Sequence, residues 1–425
     1  MTPSNPFKRM DPVSRVLRHC ALRSVLLLGG AWLLAPHALL AQSVANAPPV
    51  AMARHAAHAP RAQLASGAAF APDGSLWMVG VDAQQQLYIA RSTDLSTWSA
   101  PQLLDSAGDP ISADGENHPK LAFGPNQQAV ISYTRPLEKP YTGWIRMLRS
   151  TDGGASFAAP FTVHADTQEI THRFESIAFD GSGALHTLWI DKRDIQAVGK
   201  SYVGAAIYQN VSLDGGHSFG PDIKVADHSC ECCRIALTQG PEGQLRALWR
   251  HVFGANTRDH AFANVSTPAP NTFRRASYDE WQIQACPHQG PGLARAGTSA
   301  RDGYHAVWFG SRKEKGVDVA AVRYGRLAED GQPLAATVRP LPDAQAEHAD
   351  VASLGDKVAV VWRSFQGKET SLKAWLSHDG GKTFEVRLLA KTLGNNDQPR
   401  LIANDARMAV VWRTEERAEI HALTF

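Results

Sequence analysis

The chain is predicted to be all-β: a β-propeller of four-stranded antiparallel blades. Three observations point there. A short apolar segment recurs seven times along the chain. Its fifth position holds Gly80, Tyr133, Trp189, Trp249, Trp308, Trp362 and Trp412, so five of the 11 tryptophans share one column. No window of 11 to 18 residues in the repeating region shows helical periodicity.

Each unit follows the same order. An apolar run such as KLAF or SIAF enters a tight turn rich in Gly, Asn and Asp, which suits a hairpin. The column segment follows, for example LHTLWID (185–191) or VAVVWRS (358–364). A third run comes next (LYIARS, WIRMLRS, LKAWLS), and the fourth is less regular. A four-stranded sheet cannot cover both of its faces alone, so a fixed repeat of 50–60 residues implies sheets stacked around an axis. A two-sheet sandwich would need no such period. The last unit stops after its third run, and residues around 50–63 are the expected donor of a ring-closing strand.

The N-terminal part reads differently. Residues 1–41 carry five basic residues and one acid, then an apolar run, Ser24–Ala35, of about a dozen residues. This is the pattern of a signal peptide and is too short for a comfortable membrane span. Cys20 precedes the apolar run and is badly placed for a lipoprotein box. Residues 42–62 are Ala/Pro-rich and read as a linker, leaving 63–425 for the propeller. The full chain has 43 basic and 41 acidic residues. Without 1–41 it has 38 and 40, a net charge of −2, so nothing electrostatic argues for nucleic acid or an anionic membrane. The expected setting is periplasmic or secreted.

Between the third and fourth runs lies a second signature, S-x-D-x-G-x-[ST]-[WF]. Full copies start at Ser150, Ser212 and Ser377. A shortened copy runs Ser92–Trp98, and a decayed one runs Ser266–Phe273 without the Asp and Gly. Asp and Ser side chains there can bond nearby backbone N–H groups and hold a turn, while Gly permits positive φ. The signature resembles the Asp-box (BNR) repeat of the sialidase superfamily of propellers. That resemblance implies a structural turn on one face and a ligand site on the opposite one. It also implies six blades, where seven units are counted here.

The opposite mouth is where the first runs begin. Lead-in residues His118 and His348 and the column-following Arg250, Arg363 and Arg413 are the candidate ligand-binding groups. Three arginines on one mouth resemble the sialidase arginine triad that holds a carboxylate. The match is incomplete. The first strand reads LASGAAF in place of an Arg-Ile-Pro motif, and the nucleophile pair and acid residue have no matching motif. Glu175 and Asp191, with Asp194 nearby, are the carboxylate candidates for glycoside hydrolysis.

The remaining four cysteines form two local groups, Cys230-Glu-Cys232-Cys233 and Cys286-Pro-His288, each just before a first run. Two disulfides are one reading for an exported protein. A copper or zinc site on Cys230, Cys232, Cys233, Cys286 and His288 is the other. Three functions therefore stand open. The mouth binds a small molecule, a glycan or another protein; it hydrolyses sialic or other acidic sugars; or the cysteine cluster handles a soft metal or thiol redox chemistry.

Overall fold

The computed structural model describes residues 63–199, 204–267, 269–285, 287–297 and 302–425. The expected signal peptide, the linker and nearly all of the expected closing strand lie outside them, as does Cys286. The architecture is nearly all β. Among the described residues four sheets have four strands, one has eight, and the last has three. In the eight-stranded sheet, two meanders meet at a single pair, Ser229 opposite His251.

The first strands of the successive meanders are Gly67–Phe70, Lys120–Phe123, His172–Phe179, Ala236–Gln239, Gly292–Arg295, Ala346–Leu354 and Arg400–Ala403. Each packs beside the next, and the seventh packs beside the first, so the inner strands form a closed ring. The meanders are called blades 1 to 7 below. The junction of blades 7 and 1 is well bonded. Arg413 Nη2 donates to Val81 O at 2.6 Å, Arg400 Nε to Ser66 O at 2.8 Å and Arg407 Nη2 to Gly74 O at 2.6 Å.

Burial explains the composition of the second strands. Leu76–Val81 and Leu185–Asp191 are buried along their whole length, because both faces of a blade pack against neighbours. Such strands read as near-continuous apolar runs instead of alternating ones. Trp189, Trp249, Trp362 and Trp412 are among the largest fully buried side chains. Three of their polar tips are met: Trp189 Nε1 donates to Asp191 at 2.7 Å, Trp362 Nε1 to Asp343 at 3.0 Å and Trp412 Nε1 to Asp397 O at 2.9 Å, whereas Trp249 Nε1 has no partner. In blade 1 the column holds Gly80. A Cβ there would lie 2.9 Å from Arg413 Nη1, so the missing side chain leaves room for the arginine that closes the ring. Four of the outermost strands have only two residues, as at Gln102–Leu103, whereas Ile223–Ser229 and Glu385–Thr392 are longer.

The three full S-x-D-x-G turns share one bond pattern. Ser150 Oγ donates to Asp152 Oδ1 at 2.7 Å and accepts from Gly154 N at 2.8 Å, while Asp152 also accepts from Ser156 N and Oγ. Asp214 and Asp379 repeat this with Ser212 and Ser218, and with Ser377 and Thr383. Gly154 has φ +82°, and a Cβ there would lie 2.5 Å from Trp77, so only glycine fits. Before Ser92 and Ser150 an arginine locks blades together: Arg91 Nη2 donates to Gly154 O at 2.8 Å, and Arg149 Nε to Gly215 O at 2.9 Å. Among the described residues no helix is long and apolar enough to cross a membrane.

Candidate functional site

First strands start at one mouth of the ring, and the Asp-containing turns follow third strands at the other. The upper mouth opens into a cavity of about 710 Å³. Lead-in segments of all seven blades reach it: Leu64–Ala65, Ala113–Glu116, Thr171–Phe174, Glu231–Cys232, His288, His348 and Asn396–Gln398. Tyr141, Lys192 and Arg363 add side chains from the loops and strands behind them.

The wall is polar and of mixed charge. Glu116 is buried and bonded across the ring. Gly290 N donates to its Oε1 at 2.9 Å, Arg234 Nη1 lies 3.4 Å from Oε2, and His348 Nδ1 lies 3.9 Å away. Burial pushes the Glu116 carboxyl up, but Arg234, His348 and the Gly290 amide outweigh it and hold it well below the ordinary value. Arg234 continues the bracing through Pro291 O at 2.8 Å and Ala349 O at 2.6 Å. Asp114 shifts the other way: burial raises its pKa against the pull of Arg173. Arg173 lies over the Phe174 ring, and its buried Nε has no hydrogen-bond partner. Tyr141 is 80 % exposed and held at φ +65°.

Of the residues expected at the mouth from sequence, Arg363, His348 and His288 line the cavity. Arg363 also pairs with Glu347 at 2.8 Å and donates to Asn396 O at 3.2 Å. His118 lies further along the axis, buried, with Nδ1 2.8 Å from Pro119 O, in a second cavity among the first strands. Arg250 and Arg413 do not line the mouth cavity. Both side chains turn sideways to bond the next blade: Arg250 Nη2 donates to Phe309 O at 2.7 Å, and Arg413 to Val81 O. The carboxylate candidates are also spent on structure. Glu175 is buried, accepts from Ser132 and Thr134 at 3.1 Å, and lies 3.5 Å from Lys120 Nζ. Asp191 is buried beneath Trp189 and bonded by Arg193 Nη2 at 2.8 Å. Asp194 accepts from Tyr208 and pairs with Lys224 at 2.9 Å. Sequence reasoning passed over Arg173, Tyr141, Lys192, Asp114 and Glu116.

Cys230, Cys232 and Cys233 are buried beside this wall, and Cys232 contributes to it. Their sulfurs are 3.5–4.0 Å apart, whereas an S–S bond needs about 2.05 Å, so no two of the three form a disulfide. Their ligand atoms converge as a metal-binding group would, and His288 stands outside that group.

No protein-family description and no curated protein matches the chain. Solved structures do. The polysaccharide lyase PL25 ulvan lyase superposes with a TM-score of 0.53 at 12 % identity, over 84 % of this chain and 91 % of that one. The same lyase bound to -[GlcA(1-4)Rha3S]- gives a TM-score of 0.52 at 12 % identity with the same coverage. The Hadza microbial sialidase Hz136 gives 0.44 at 12 % identity, over 80 % and 74 %. The Fusarium graminearum α-L-arabinofuranosidase gives 0.49 at 11 % identity, over 77 % and 92 %. At such identities the likeness is one of fold alone.

Proposed function

We propose that this chain is an exported, carbohydrate-binding propeller whose upper mouth takes a sugar carrying an acidic group. The observation that carries the reading is the cavity itself. Seven blades converge on one opening of about 710 Å³, within the usual ~300–1000 Å³ of small-ligand sites. Its wall offers Arg173, Lys192 and Arg363 as cations, with Tyr141 exposed for stacking. Guanidinium groups suit carboxylate and sulfate because their planar donors match two oxygens at once. Arg173 lines the cavity, and its buried Nε has no hydrogen-bond partner within the fold. The ulvan lyase is bound to -[GlcA(1-4)Rha3S]-, which makes uronate and sulfated oligosaccharides the first to try.

The test is titration of the exported protein with a panel of uronate, sialate, sulfated and neutral oligosaccharides. Saturable binding of an acidic member, weakened at least tenfold by Arg173→Ala, supports the reading. No binding across the panel removes it. Cell fractionation checks the export.

A second reading is turnover of the bound sugar. It is favoured by Asp114 and Glu116 in one cavity, one carboxyl raised and the other lowered, which is how an acid and a base are set apart. It predicts release of sugar from a sialoside or uronide, lost in Asp114→Asn and in Arg363→Ala. Absence of release from every substrate tried ends it.

A further inference from the structure

The link from blade 3 to blade 4 places three cysteines within four residues, and a turn at Glu231–Cys232 folds their side chains together. The sulfurs make a closed triangle: 3.8 Å from Cys230 to Cys232, 4.0 Å from Cys232 to Cys233, and 3.5 Å from Cys233 to Cys230. A cation binds thiolate sulfur at about 2.3 Å, so two sulfurs around it stand about 3.8 Å apart in a tetrahedral shell and about 4.0 Å apart in a trigonal one. The observed triangle fits that spacing without rearrangement. The setting is otherwise apolar, with Phe174, Ile207, Ile235 and Trp249 in the same cluster.

Arg250 supplies an independent observation. Its guanidinium is 1 % exposed and has no carboxylate partner among the described residues. Nη2 donates to Gln289 O and Phe309 O, while Nε and Nη1 have no partner. Its backbone carbonyl accepts from Cys230 N at 2.9 Å, which sets the arginine beside the cysteines. A buried cation without an anion is costly. Three neutral thiols do not relieve that cost. Three thiolates around a singly or doubly charged ion leave a net charge of −2 or −1, which does.

We infer that Cys230, Cys232 and Cys233 hold a soft closed-shell cation, Cu(I) or Zn(II), in the wall of the mouth, with Arg250 as its charge partner. Thiolate ligands and an apolar shell select this class over Mg²⁺ or Ca²⁺. The ligand is the thiolate and not the thiol, so binding must displace protons. Each of the three thiols releases its proton to solvent as the ion enters, and affinity rises with pH.

The full chain, purified with reductant and without oxygen, is offered Zn(II) in one arm and Cu(I) in the other, then desalted. One ion per chain is retained in at least one arm, and the retained ion identifies the occupant. X-ray absorption on that loaded wild-type protein shows at least three sulfur scatterers at about 2.2–2.3 Å. Cys232→Ser and Cys233→Ser each lower retention at least tenfold. The absorption measurement needs no variant, so it stands even where a serine variant fails to fold. Failure of the reduced wild type to retain either ion, a shell of nitrogen and oxygen alone, or undiminished retention by folded variants overturns the inference.

Discussion

At the lower face, Asp152, Asp214 and Asp379 each fasten a turn with bonds that reach no further than four residues. At the upper face, Glu116 bonds Gly290 and Arg234, residues 174 and 118 positions away. The lower turns repeat, and their serine and aspartate groups are satisfied within the turn. The mouth does not repeat, and it keeps a buried unpaired donor at Arg173. A motif that satisfies itself locally can be copied from blade to blade. A site that must meet one ligand cannot, and its unmet polar groups are where a ligand is chemically expected.

That contrast can be broken from either side. The largest effect is expected at the mouth's internal brace. Arg234→Ala leaves Glu116 charged and buried without its guanidinium partner, which costs about 3–5 kcal/mol, read by chemical denaturation. Acid should come next. Burial lowers His164, His251 and His305 to about 3 each, against an ordinary value of 6.5. The folded state holds them neutral while the unfolded chain protonates, so their contribution is complete above pH 6.5 and falls steadily toward pH 3. A melting temperature that declines across this window, and declines less in a His305→Gln variant, is the expected record. A smaller loss belongs to the lower face: Ser150→Ala removes the donor to Asp152 and the acceptor for Gly154 N, costing about 1 kcal/mol, with ligand binding unchanged. Smallest in stability is Arg173→Ala, expected within about 0.5 kcal/mol of wild type while acidic-sugar binding falls at least tenfold.

The same contrast explains what the sequence discloses. The ring is legible because a blade buried on both faces needs a large apolar group at a fixed position, which the tryptophan column supplies. The turns are legible because their bonds close within eight residues. The mouth is legible only in part. His348 and Arg363 reach it as their column positions suggest, but Arg250 and Arg413 share that position and bend into the next blade. Column position fixes where a side chain starts, not which neighbour it meets. Arg173 stayed hidden because Phe174 takes φ +56° where the pairing with the second strand is irregular, and an alternation of two residues does not survive that irregularity. His348, at φ +50°, sits at a similar break in blade 6. Glu116 and Arg234 could not be paired from sequence, since 118 residues separate them and neither belongs to a repeating column.

The most direct test of the account is a crystal structure of the protein with an acidic oligosaccharide bound. The account predicts sugar in the upper mouth, its carboxylate or sulfate oxygens within hydrogen-bond distance of Arg173 or Arg363. Sugar seated on the outer blade edges or against the Asp152, Asp214 and Asp379 turns, with the mouth left to solvent, would contradict it.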